Sequence, residues 1–191
     1  MEFTTLGRTG LKVSVAGLGS GGPSRLDRKG EMSAEKGIAL IHRAIDLGVN
    51  FFDTAHNYGT EGIVGAAVKS VPRDSVVLST KYHTDGVSAE EIVGALDAAL
   101  CTMGTDYLDV FHLHGVGPDE YDHAVDVLVP ALLRERERGK FRYLGITEGT
   151  ARDLKHTMLT RALTEDFWDV IMVSFNMMHQ GARDHVLPQA R

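Results

Sequence analysis

Residues 48–68 read GVNFFDTAHNYGTEGIVGAAV. The run Asn50–Asp53 is apolar until it ends in a carboxylate, and turn-forming residues then lead into an Ile-Val-Ala segment of helical character. A short buried strand followed by a helix is the repeating unit of a parallel sheet. The same alternation extends in both directions. Strands are expected at Val13–Leu18, Asn50–Asp53, Ser75–Thr80, Leu108–Leu113, Phe141–Ile146 and Asp169–Phe175, each short and apolar as in strands covered by helices.

Helices fill the intervals. From Ser33 to Leu47 the residues Ile38, Ile41 and Ile45 recur at helical spacing and should face the sheet, with Gly48 as the stop. Ser88 and Glu91 form a capping-box pattern. The stretch RERERGK at 134–140 reads as a solvated helix end with Gly139 as its C-cap. Ahead of these units, FTTLGRTGLKVS at 3–14 reads as a hairpin around Gly7–Gly10. No linker or composition break divides the chain, so residues 1–191 are expected to form a single domain. The fold class is α/β, a (β/α) TIM-type barrel. A complete barrel has eight units in about 250 residues. Six are found in 191 residues, so the chain is expected to be truncated on its C-terminal side, with GARDHVLPQAR at 181–191 opening the sixth helix.

Composition narrows the functional classes. The chain is 43% hydrophobic and 24% charged, ordinary for a globular protein, with a net charge of -6 and no basic run. Nucleic acid and anionic membrane surfaces demand clustered Lys and Arg, and neither partner is expected. No apolar stretch has transmembrane length and the N-terminus lacks a signal pattern. Cys101 is the single cysteine, within LDAALCTMG, which reads as a packed helix. An intrachain disulfide is therefore excluded, and the expected location is cytoplasmic.

Active sites of such barrels lie at the C-terminal strand ends. Asp53 ends the second strand, with Tyr58 in the loop after it; VVLSTKY places Lys81 at the end of the third, and YLDVFHLHG places His114 at the end of the fourth. A phenol with a pKa of about 10 is a poor acid at neutral pH. A neighbouring ammonium favours its phenolate, a carboxylate holds that ammonium, and an imidazole donates to a carbonyl oxygen or relays a proton. The set suits carbonyl polarisation during hydride arrival. No activated serine or cysteine is in view for acyl transfer.

In order and at this spacing, GVNFFDTAHNYG, LSTK, YLDVFHLHG and GKFRYLGIT resemble the successive strand-end motifs of the aldo-keto reductases, over essentially the whole chain. LGRTGLKVS is similar to that family's barrel-plugging hairpin. The resemblance implies reduction of a small-molecule carbonyl substrate by NADP(H), with Tyr58 as general acid, Lys81 and Asp53 tuning it, and His114 orienting the substrate. It also implies cofactor contacts at Asp53, Thr147, Glu148 and Met172. Two of these depart from the family pattern: Glu148 stands where an amide usual to the family would donate, and Met172 where a glutamine is usual. The loops after the seventh and eighth strands, which hold the cofactor phosphates in the family, are not in the sequence. Self-association, or a complementary chain closing the barrel, is expected in consequence.

His112 shares the barrel-facing side of its strand with His114. It reads as an interior histidine satisfied by a neighbour. A zinc site built with His56 and His83, serving a metal-dependent hydrolase, is the competing reading, but no ligand set on the fifth and sixth strands completes it. No metal is expected. A non-catalytic binding or regulatory subunit derived from the barrel is the other alternative.

Overall fold

A computed structural model describes residues 1–22, 26, 33–149 and 152–190; Arg191, in the segment expected to open the sixth helix, lies outside them. The chain opens with an antiparallel hairpin, β1 (Phe3–Thr5) and β2 (Lys12–Ser14), joined through a 3-10 turn at Gly7–Thr9. Six parallel strands follow in sequence order: β3 (Leu18–Gly19), β4 (Phe51–Asp53), β5 (Val77–His83), β6 (Leu108–Val116), β7 (Phe141–Glu148) and β8 (Val170–Met172). With helices between them, they build a parallel half-barrel, an incomplete TIM-type barrel with β3 and β8 as its end strands.

All six strand ranges differ from the sequence reading at one end or both: β4 begins one residue later, β5 runs from Val77 to His83, β6 and β7 extend to Val116 and Glu148, and the first and last strands differ most. The apolar run at Val13–Leu18 is not one strand. Val13 belongs to the hairpin, the chain bends at Val15–Ala16, and only Leu18–Gly19 enters the barrel. The bend is pinned by Asn50, whose side chain accepts from the Ser14 amide at 2.7 Å while its own amide donates to the Ser14 hydroxyl at 3.1 Å. The last strand stops at Met172 because the Ser174 amide turns to the Glu148 carboxylate, at 2.6 Å, instead of a strand partner.

Strand alternation sorts the side chains onto two faces. Leu78, Phe111, Leu113, Leu144 and Ile146 point outward and join Ile41, Ile92, Leu96 and Leu132 of the helices in the main core. Val77, Val110 and Val170 point inward and meet Leu11 and Val13 of the hairpin in a second, smaller core. The hairpin thus plugs the N-terminal end of the barrel. Tyr143 donates its hydroxyl to the Thr9 carbonyl, and the Arg8 guanidinium donates to the carbonyls of Asp166 and Trp168, each at 2.6 Å.

The helices follow the expected faces. In α1 (Ala34–Asp46) Ile41 is fully buried and Ile38 and Ile45 pack against the core. Helix α2 (Glu61–Val68) follows β4, and α3 (Ala89–Met103) begins with the Ser88–Glu91 capping box. After β6, α4 (Tyr121–His123) runs through a π turn at Ala124–Leu128 into α5 (Val129–Glu137). Pro130, lacking an amide hydrogen, lies just beyond the widened turn. Short helices α6 (Thr157–Ala162) and α7 (Ala182–His185) flank β8.

Two local readings are corrected. The RERERGK stretch is not wholly solvated: Glu135 is buried, accepts from Arg138 at 2.6 Å and forms an ion pair with Lys140 at 2.7 Å. Cys101 is exposed, because α3 buries Leu96, Ala99 and Met103 and carries Cys101 on its outer side. Among the described residues, no helix is long and apolar enough to cross a membrane.

Candidate active site

The C-terminal ends of β4, β5 and β6 bring Asp53, Lys81 and His114 to one rim, and the 3-10 turn His56–Tyr58 carries Tyr58 over it. Inward-facing positions recur every second residue on a strand. Ser79 and Lys81 on β5 therefore share the face of Asp53 on β4. Lys81 Nζ donates to Asp53 Oδ2 at 2.6 Å and to the Thr54 carbonyl at 2.7 Å, and Ser79 donates to Asp53 Oδ1 at 2.8 Å. The Lys81 side chain is only 1% exposed and that of Asp53 20%, so the ammonium is sealed beneath the carboxylate. Burial pulls the Lys81 pKa below its ordinary value, and Asp53 opposes that pull through charge and hydrogen bond.

Tyr58 lies directly above. Lys81 Nζ is 5.1 Å from the centre of the phenol ring, and the His114 ring meets that phenol edge-on at 5.6 Å. Gly21, in the loop after β3, makes room: a Cβ there would lie 2.5 Å from Tyr58 Cε2. Behind the turn, the hydroxyls of Ser20, Thr54 and Thr60 form a buried chain with contacts of 2.7 and 2.9 Å, and Ser20 also donates to the Asp53 carbonyl at 3.0 Å. These contacts fix the base of the Tyr58 loop.

His114 is half-buried, and burial, the Lys81 charge and His83 together lower its pKa to about 4. It is a neutral imidazole at physiological pH, able to donate one N–H. His112, one layer deeper, is fully buried, and its pKa falls to about 3 through burial, Lys81 and His114. The expectation that a neighbour satisfies it is not met: neither ring nitrogen has a hydrogen-bond partner among the described residues.

The other expected positions lie on β7 and β8. Thr147 is buried on the inner face, pairs in register with Met172, and accepts from the Gly115 amide at 2.7 Å, leaving its hydroxyl hydrogen to donate. Glu148 is one residue on and so points to the outer face, with Leu144 and Ile146. There its carboxylate is engaged twice, by His156 Nδ1 at 2.7 Å and by the Ser174 amide at 2.6 Å. His156 is wholly buried, holds a left-handed backbone at φ 56°, and stacks on His179 with ring centres 4.7 Å apart. Sequence reading missed Ser79, Gly21 and the hydroxyl chain. Ser79 was within reach, being two residues before Lys81 on a strand. His56 and His83 sit at the mouth, His56 beside Glu61 at 3.9 Å and His83 against Tyr82. No group of three or more His, Cys, Asp or Glu residues is placed to hold a metal ion among the described residues.

A parallel half-barrel with ionisable side chains gathered at its carboxyl rim is (β/α)-barrel architecture. The family model described as the aldo/keto reductase family matches residues 17–190, and the chain belongs to that family. L-galactose dehydrogenase of Arabidopsis thaliana is 33% identical over 196 residues, covering 98% of this chain. The chain spans about three fifths (59%) of that relative's length. A thermostable aldo-keto reductase solved with the inhibitor epalrestat superposes with a TM-score of 0.80 at 23% identity, covering 98% of this chain and 67% of that one. The Bombyx mori aldo-keto reductase solved with NADP gives 0.70 at 22% identity, covering 92% and 58%. These two likenesses establish the fold.

Proposed function

We propose that residues 1–191 form one domain that carries the proton-donating half of an NADP(H)-dependent reduction of aldehydes or ketones. The observation that carries this reading is the sealed Lys81 ammonium, bonded to Asp53 and the Thr54 carbonyl and 5.1 Å from the Tyr58 ring. A cation beside a phenol favours the phenolate and so makes the phenol a better acid. Tyr58 is the general acid, delivering its proton to the carbonyl oxygen as that oxygen gains negative charge. His114 is neutral and donates its N–H to the same oxygen, orienting the carbonyl carbon toward the interior. Asp53 keeps Lys81 in place.

The residues present fit the nicotinamide end of the cofactor. Thr147 keeps a donor on the inner face and Met172 lies next to it in register, with Asp53 at the rim. The cofactor supplies hydride to the carbonyl carbon. Glu148 serves this surface indirectly, by holding the segment after β8 through Ser174. The name of the Arabidopsis relative adds sugars to the substrates worth testing. The test is NADPH oxidation followed at 340 nm with a panel of aldehydes, ketones and aldoses, run beside Tyr58→Phe. Turnover that survives the phenylalanine substitution overturns the assignment.

A cytoplasmic location goes with this reading.

A further inference from the structure

Strand β6 does not run straight into its loop. It pairs in register with β7 as far as Leu113 and Ile146, and pairing resumes at Val116 and Glu148. Between those pairs His114 and Gly115 of β6 stand opposite Thr147 alone. An extra residue of this kind is a β-bulge, which bends the strand and re-aims the side chain it carries. Gly115 supplies the left-handed backbone, at φ 69°. The direction of His114 therefore depends on the peptide that follows it.

That peptide is held from two sides by side chains. The Gly115 amide donates to the Thr147 hydroxyl at 2.7 Å, and the Gly115 carbonyl accepts from Arg152 Nη2 at 2.6 Å. Arg152 Nη1 also donates to Glu120 Oε1. The other oxygen of that carboxylate accepts from the Thr84 hydroxyl at 2.8 Å and from the Gly117 amide at 3.4 Å. One guanidinium thus joins the loops that follow β5, β6 and β7. Glycines make room for it: a Cβ at Gly149 would lie 3.1 Å from Arg152 Nε, and one at Gly117 3.3 Å from Arg152 Cζ.

Stability is a weak reason for this arrangement. The Arg152 side chain is 51% exposed, and an ion pair so open to water contributes little. Without it Glu120 would keep Thr84 and Gly117, and the half-buried Gly115 would remain within reach of solvent. What would be lost is the fixed orientation of the Gly115 peptide, next in the chain to the imidazole that meets Tyr58 edge-on at 5.6 Å.

We propose that Arg152 is a positioning residue of the reducing site: by gripping the Gly115 carbonyl it fixes the bulge that aims His114 at the substrate oxygen beside Tyr58. Glu120 holds the guanidinium in place for that purpose. This rests on the role given to His114 in carbonyl reduction, but the aim of the His114 ring is measurable without turnover.

Two measurements on the full chain test it. The first is a double-mutant cycle in kcat for carbonyl reduction, with Arg152→Met, His114→Ala and the two combined. Arg152→Met should lower kcat by at least about tenfold, since displacing a reacting group by about 1 Å can cost about a hundredfold. The melting temperature should fall by less than about 4 °C. In the His114→Ala background Arg152→Met should change kcat by less than about threefold, because the two residues act through one group. The second measurement is the NMR shift of the His114 ring protons, assigned with His114→Ala. The change that Tyr58→Leu produces in this shift reports the contact between the two rings, and it should shrink in Arg152→Met. A kcat loss of equal size with and without His114, or a Tyr58-dependent shift unaltered by Arg152→Met, overturns the proposal. If the shift responds but the wild-type protein reduces no carbonyl, the Arg152 assignment stands and the reductase reading falls. Arg152→Gln carries the same comparison if Arg152→Met fails to fold.

Discussion

Glu148→Ala should be among the most damaging substitutions in the chain, although the residue touches no reacting group. Its side chain is 1% exposed, and its carboxylate receives His156 Nδ1 at 2.7 Å and the Ser174 amide at 2.6 Å. Truncation strands both donors in a dry environment and leaves His156 with neither nitrogen paired, since Nε2 is already without a partner among the described residues. Removing one member of a buried, hydrogen-bonded polar pair costs about 3–5 kcal/mol. For a chain of this size that is a fall in melting temperature of roughly 6–20 °C. Glu148→Gln keeps the shape and one carbonyl acceptor and should lose roughly 1–3 kcal/mol, the cost of leaving one buried donor unsatisfied. Urea unfolding followed by circular dichroism gives both values. Hydrogen exchange should show the segment 174–181 opening first, because the Ser174 contact ties it to β7. A loss under about 1 kcal/mol for the alanine variant, the level of an exposed pair, would refute the view that this carboxylate is a buried anchor.

Tyr58→Phe should lower carbonyl reduction by at least about a hundredfold, the lower range for a lost general acid, while NADPH affinity measured by fluorescence is retained. Lys81→Met should also depress reduction and move the alkaline limb of the pH–rate profile upward, because a phenol without its cation holds its proton longer; an unmoved limb would uncouple the two residues. His112 and His114 bind fewer protons folded, with pKa values of about 3 and 4, than an unfolded histidine titrating near 6.5. Their contribution to stability is therefore complete above pH 6.5 and is lost as the pH falls from there toward 3, a slope that His112→Leu should flatten in urea titrations at stepped pH. Elemental analysis should find no stoichiometric zinc, and chelators should leave activity unchanged; zinc lost together with activity would favour the hydrolase reading.

Much of this was legible in sequence because strand periodicity and strand ends are local properties. Asp53, Lys81 and His114 each close an apolar run, so their convergence follows from the barrel alone, and the Ser88 cap follows from four residues. The failures share a cause. Val13 looks like a barrel residue because the hairpin's inner face is as apolar as a barrel strand. Glu148 looks like a cofactor contact by its place after Thr147, and its outward direction emerges only when the alternation is counted from Leu144. The partners of Glu135, Glu148 and His156 are set by packing between elements, which no local pattern encodes.

The plug at the N-terminal end of the barrel imposes an order on synthesis. Arg8 reaches the carbonyl of Trp168 across 160 residues, an interval that takes roughly 8–32 s to translate. Leu11 and Val13 similarly wait for Val170, the most distant member of their cluster. The first hairpin made is thus among the last elements to find its place, and closing so long a loop puts its entropic cost at the end of the folding reaction. Until then its apolar face is a nascent-chain surface, open to chaperones for the whole time that the strands above it are being added.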